Sequence, residues 1–234
     1  MERQVPLVEG EAYHIFNRGA HKQPIFIDEQ DHRRFQVLLL LANSTEPIDT
    51  GNILRKYQGP TSADLFEREV PTSKRVDILA YALMPNHFHL VVRQRNTHGI
   101  SEFMRKVCTA YSMYFNLRHD HSGTLFQGKF KSSHINTDPY FSWLFAYVHL
   151  NPISLVEPAW DERCVEDVQR AQGFIDRYAF SSYLDYYSTK RPERTILAIG
   201  EGCEYVDSKK DIKELLADYG RGSILFDTLG KEAS

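Results

Sequence analysis

The 234-residue chain is poor in cysteine: Cys108, Cys164 and Cys203 stand far apart, with no CxxC pair. An odd count at that spacing argues against a disulfide framework or a thiolate metal cluster, and leaves thiols free in a reducing compartment. Glycine and proline, 13 and 10 residues, are too few for a collagenous or low-complexity chain. Long apolar runs are missing as well. The longest strongly apolar stretch is Val37–Ala42, far short of the roughly 20 residues of a membrane span. The opening MERQVPLVEG lacks the apolar core of a secretory signal, so a cytoplasmic protein is expected. There is no Walker, Rossmann or zinc-finger pattern, no heptad run and no internal repeat. Charge of one sign is not in excess: 28 Lys and Arg face 31 Asp and Glu, a net −3.

What is present is the material of a well-filled core, 42% hydrophobic and 12% aromatic residues. The length suits one domain with an appendage. Charge is unevenly spread. Residues 1–150 hold 17 Lys and Arg against 15 Asp and Glu, net +2, whereas residues 151–234 hold 11 against 16, net −5. An anionic partner is expected to meet the first part of the chain.

The hydropathy pattern sets out an order of elements. Tyr13–Arg18 alternates and predicts a strand closed by Gly19. From Asp28 to Ala42, Phe35, Leu38, Leu39 and Ala42 share one helical face. Asn43–Arg75 is rich in Ser, Thr, Pro and Gly and reads as a loop-rich insertion at about 43–75. Val76–Met84 and His87–Arg93 are strands flanking Pro85-Asn86, a hairpin. A helix follows from Ser101 to about Leu117. Leu125–Ile135 is strand-like, and Asp138 with Pro139 starts another helix that ends at Asn151-Pro152. Strand, helix, hairpin, helix, strand is a ferredoxin-like βαββαβ sandwich of the α+β class, an antiparallel sheet with helices on one face. The expected division is a domain over residues 1–188 and an acidic C-terminal extension over 189–234, with a short helix at Asp211–Tyr219.

Two features carry chemistry. In the strand His87-Phe88-His89, residues i and i+2 point to one side, so two imidazoles project from one face, able to share a metal, and Phe88 packs beneath. Taken alone, this pair also fits two satisfied histidines on a half-exposed strand. The second feature lies in the helix after Asp138. Phe141, Leu144, Phe145 and Val148 form its core stripe, while Tyr140, Tyr147 and Asn151 lie on an adjacent one. Tyr147 and Asn151 are i and i+4, a phenol and a carboxamide one turn apart. Two imidazoles and one amide oxygen suit Mg2+ or Mn2+.

These segments are recognisable. YALMPNHFHLVVR (Tyr81–Arg93), GTLFQGKFKSS and YVHLNPI resemble the motif blocks of single-tyrosine HUH transposases, and most closely those of the REP-associated tyrosine transposases. NRGAHKQPIF near the start and FSSY (Phe180–Tyr183) are similar to the same group, so the resemblance spans roughly residues 10–187. It implies metal-dependent cleavage and strand transfer on single-stranded or hairpin DNA through a 5′-phosphotyrosine intermediate. Tyr147 matches the nucleophile. His87, His89 and Asn151 match the ligands of Mg2+ or Mn2+, and the family acts as monomer or homodimer.

Around that set, Arg18, Lys129 and Lys131 are candidate DNA-binding residues. Lys129 and Lys131 share a face if they lie on one strand, where they also fit an ordinary basic edge. Tyr111 sits on an apolar stripe and reads as core, and Tyr114 has no metal-type neighbour. His149, or an ordered water, is a candidate base for the phenol. His14 reads as an ordinary structural histidine. Two other functions remain open at this stage: a non-catalytic nucleic-acid-binding module on the same fold, and a metal hydrolase of small phosphoesters.

Overall fold

The computed structural model describes residues 6–59, 63–158, 160–163, 165–188, 190–203, 214–217 and 219. Most of the 189–234 extension therefore lies outside the described residues; of the helix expected at Asp211–Tyr219, residues 214–217 and 219 are described, and they are helical.

The chain runs β1 (Ala12–Arg18), α1 (Glu29–Leu41), α2 (Thr50–Lys56), α3 (Ala63–Arg68), β2 (Val76–Met84), β3 (His87–Gln94), α4 (Gly99–Arg118), β4 (Lys131–Ile135) and α5 (Asp138–Leu150). Four shorter helices follow: α6 (Trp160–Arg163), α7 (Val168–Ile175), α8 (Tyr183–Tyr187) and α9 (Ile199–Cys203). The sheet order is β2-β3-β1-β4, every pairing antiparallel. This is the ferredoxin-like arrangement read from the sequence.

Caps explain the helix starts. Asp28 accepts from the Asp31 N–H ahead of α1. Ahead of α5 the cap is Thr137, whose hydroxyl accepts from the Tyr140 N–H at 3.3 Å. Asp138, expected to cap, is instead the first helical residue, where its charge suits the helix dipole.

The strands alternate their side chains between two layers. On one face Phe88 is fully buried against Phe35 of α1, ring centroids 5.1 Å apart, and Phe35 meets Tyr111 of α4 at 5.0 Å. The other face, bearing His87 and His89, meets α5, whose Tyr147 ring lies 5.4 Å from that of His89. Helices on one face only was the expectation; α1 and α4 obey it, and α5 adds a layer on the opposite face. Behind α5 a second apolar cluster joins Ala146, Leu150 and Ile153 to Trp160, Ala171, Ile175 and Leu215.

Both sheet edges are managed. At β2, the Leu83 N–H donates to Phe180 O and the Ser182 N–H to Tyr81 O, each at 2.9 Å, so the FSSY segment covers the edge. At the other edge β4 is only five residues long and begins with exposed Lys131, a short charged strand that discourages further pairing. The strand expected from Leu125 begins only at Lys131, because Gly128 has φ of +125° and breaks the extended run. The insertion is more ordered than its composition suggests. It holds α2 and α3, with Leu65 and Phe66 buried and the Phe66 carbonyl accepting from Thr195 Oγ1 at 2.9 Å.

Candidate active site

Strand register places the site. Across the sheet, Ala82 pairs with His89, His89 with Phe16, and Phe16 with Lys131. Arg18 pairs with His87 in the next row. The His87 and His89 rings are 5.0 Å apart and nearly perpendicular. Phe16 separates His89 from Lys131, whose ammonium lies 5.7 Å from the Phe16 ring centre.

From the layer above, α5 lowers Tyr147 and Asn151 onto this surface. The Asn151 N–H donates to the Tyr147 carbonyl, closing the helix and placing both side chains one turn apart. Tyr147 is half-buried, stacked on Trp143 at 5.7 Å and on Tyr219 at 6.1 Å, with its edge toward His89. Asn151 is buried, and its Oδ1 has no hydrogen-bond partner. A buried amide oxygen without a partner costs about 1–3 kcal/mol, and it stands among two imidazoles and a phenol. Among the described residues no three His, Cys, Asp or Glu side chains converge as a metal cluster. The donor set here is two imidazoles and an amide oxygen.

Protonation follows from burial. It pulls the His87 imidazole down to about 4, opposed by the Asn151 carboxamide beside it and aided by Arg18. His89 is held well below its usual value, also mainly by burial. Both rings are neutral at pH 7 and keep lone pairs to donate. Burial pushes the Tyr147 phenol upward, helped by the Asp161 carboxylate and by Tyr219 and opposed by Asn151. The phenol is protonated at rest.

A cavity of about 420 Å3 joins these groups to the three basic residues singled out in the sequence. Arg18, Lys129 and Lys131 line it together with His87, His89, Tyr147 and Asn151. Lys129 precedes β4 rather than sharing the strand with Lys131. Lys22, inside the NRGAHKQPIF block but not singled out there, and Asp161, which no motif marks, also line the cavity. Lys22 comes from a tight loop in which His21 and Lys22 take φ of +54° and +62°, a left-handed conformation uncommon outside glycine. That loop needs Gly19, where a Cβ would lie 2.1 Å from the Gln23 carbonyl oxygen.

The competing candidates fall away. Tyr111 is fully buried and donates to the Ile25 carbonyl, and Tyr114 donates to Asp31 at 3.0 Å. His149 lies on another side of α5, fully buried with its Nε2 2.7 Å from Ser182 Oγ. It does not line the cavity and is not placed to take the phenol's proton.

Comparison with known proteins finds one family match, over part of the chain. Residues 56–151 match the model of the family described as IS200-like transposases. This is the family read from the sequence. The IS200-like span begins at the end of α2 and ends on Asn151, so it contains His87, His89, Tyr147 and Asn151. A solved structure described as a REP-associated tyrosine transposase bound to a REP hairpin aligns over 79% of this chain and 84% of that one, at 12% identity and a TM-score of 0.47. No curated protein matches.

Proposed function

We propose that this IS200-like protein cleaves and rejoins single-stranded DNA, the substrate being hairpin-forming repeat DNA, with Tyr147 as nucleophile and a 5′-phosphotyrosine as intermediate. The observation that carries the reading is the placement of a phenol, two neutral imidazoles and an unpartnered amide oxygen in one cavity rimmed by Arg18, Lys129 and Lys131. His87, His89 and Asn151 would hold Mg2+ or Mn2+, and the donors fit: two nitrogens and one oxygen, with room for water and phosphate oxygens. When bound, such an ion offsets charge on the phosphate and on the leaving 3′ oxygen.

The remaining work belongs to the chain. Tyr147 Oη forms a bond to phosphorus as the 3′ oxygen departs, so the 5′ end stays on the protein and the 3′ end leaves as a hydroxyl. One phosphoester replaces another, and rejoining by the reverse path needs no nucleotide hydrolysis. The resting phenol must lose its proton as the new bond forms, and the departing 3′ oxygen gains one through solvent; the Asp161 carboxylate on the cavity wall holds the proton on the phenol until then. Tyr147 cannot swing freely, being stacked on Trp143 and Tyr219; that restraint aims Oη and lowers the entropy cost of attack. Arg18, Lys129 and Lys131 counter the phosphates on either side of the scissile bond. An unpaired strand reaches such a cavity without the cost of unstacking a duplex, about a few kcal/mol per step.

The four central residues line one cavity, and the protein is proposed to act as a monomer or homodimer. Among the described residues no helix is long and apolar enough to cross a membrane, and the proposed setting is the cytoplasm. The test is a denaturing protein gel after incubation with end-labelled hairpin oligonucleotides that carry unpaired flanks. A labelled protein band is expected with Mg2+ or Mn2+, lost on chelation and absent with a perfect duplex. A soluble protein that binds these hairpins and never forms the band would instead be a nucleic-acid-binding module.

A further inference from the structure

Both proposed ligand histidines have Nδ1 already occupied. Nδ1 of His87 lies 2.7 Å from Asn86 Oδ1, an atom that only accepts. The Asn86 amide is oriented by its Nδ2, which reaches the Lys22 carbonyl at 3.5 Å. An acceptor-only partner at Nδ1 favours the His87 proton on that nitrogen. Nδ1 of His89 lies 2.8 Å from Nε2 of His14, and this contact is buried. The His14 and His89 rings are nearly coplanar, 18° between planes, as an in-plane hydrogen bond requires. His14 comes from β1, paired directly with Val91, and so reaches His89 diagonally across the ladder. Its ring is walled by Phe16 on its own strand, centroids 4.9 Å apart. No role in binding or catalysis has so far been given to either Asn86 or His14.

We infer that Asn86 and His14 are positioning residues that hold His87 and His89 in the Nδ1–H form, so that both Nε2 lone pairs are available beside Asn151 before any ion arrives. For His87 the acceptor-only partner favours that tautomer. For His89 the partner imidazole can take either role, and acting as ligand requires that His14 Nε2 accept. The inference rests on reading His87 and His89 as ligands. It adds that their readiness is built by two neighbours, one in the hairpin turn and one on the adjacent strand. A free imidazole in water prefers the other tautomer modestly, so an unheld ring must switch or turn before it binds. Hydrogen-bond partners of this kind raise ligand basicity and typically change metal affinity by about 10–100-fold.

The experiment reads tautomers in the metal-free protein and affinity separately. Long-range 1H–15N correlation spectra of the full chain without metal are expected to show both His87 and His89 protonated on Nδ1. Asn86→Ala, at a half-buried turn position, should release His87 into a mixture of tautomers and leave His89 as it was. His14→Phe keeps a ring in the same place, and should release His89 alone. Each variant is expected to bind Mn2+, followed by electron paramagnetic resonance without DNA, at least tenfold more weakly. Asn86→Asp, which keeps an acceptor oxygen, should restore the His87 tautomer. A wild-type ring protonated on Nε2 overturns the inference, as does a variant that keeps the Nδ1–H form and full Mn2+ affinity. Should His14→Phe fail to fold, the Asn86 pair decides. If wild-type tautomers are as stated and Mn2+ does not bind at all, the positioning stands and the metal reading falls.

Discussion

The two faces of one strand behave as opposites. Along β3, Phe88 and Leu90 point to α1 and α4 and meet a closed apolar layer, whereas His87 and His89 point to α5 and meet a phenol, a carboxamide and a cavity. Both faces are packed, but only the second gathers polar groups around a cavity. Phe88 meets Phe35 at a tilt and Phe126 edge-on. The histidine face keeps an amide oxygen without a partner. Burial on the first face is stability; burial on the second withholds water from groups that are to meet a ligand. α5 shows the same division around its own axis. His149 is bonded to Ser182 through Nε2, has no partner at Nδ1 and is walled by tyrosines away from the cavity, while Tyr147, two residues earlier, opens to it.

The comparison can be broken in several ways, and the largest effect is expected on the open face. His87→Ala or His89→Ala should abolish metal-dependent DNA cleavage; the half-buried His87 should shift the urea midpoint little, and buried His89, whose loss leaves His14 without its partner, should lower it more; cleavage assays in limiting Mn2+ beside chemical denaturation check both halves. On the closed face the reverse is expected. Phe88→Ala should cost about 3–5 kcal/mol of stability, read by urea denaturation, and should affect DNA cleavage only through the fraction folded.

Acid separates the faces next. Burial lowers the His149 pKa from its ordinary 6.5 to about 3. Between those values the unfolded chain binds the extra proton, so stability is full above about 6.5 and falls as the pH drops toward 3. Replacing His149 with Gln should flatten this dependence by about 1 kcal/mol between pH 7 and 5.5, as followed by urea denaturation at each pH. The smallest effect belongs to the rim. Lys131→Ala should weaken binding to single-stranded DNA by a few-fold, and the slope of log affinity against log salt should fall by roughly 0.7.

The sequence made the sheet legible because its strands alternate and its long helices carry one apolar stripe. α1, the β2–β3 hairpin, α4 and α5 all follow from periodicity and turn residues. α2, α3 and the short helices after Asn151 did not, because helices of four to eight residues give too few turns for a stripe to show. The Gly128 break was hidden in a basic stretch that reads as one strand. Tyr147, Asn151, His87 and His89 could be placed together because each pair is local: two apart on a strand, four apart on a helix. His14, Lys22 and Asp161 could not, because their relation to the site is set by the β1–β3 register, by a left-handed loop and by the α6 turn. Long-range placement of that kind leaves no spacing in the sequence.

The account turns on the Tyr147 hydroxyl, and its removal tests it most directly. Tyr147→Phe deletes one oxygen and keeps the ring against Trp143 and Tyr219. Wild-type protein and the Tyr147→Phe, Tyr111→Phe and Tyr114→Phe variants would be incubated with labelled single-stranded hairpin DNA and Mn2+, then resolved on a denaturing gel. The account expects a covalent 5′-phosphotyrosine adduct, with a free 3′-hydroxyl on the released strand, for every protein but Tyr147→Phe. An adduct that persists in Tyr147→Phe would contradict it.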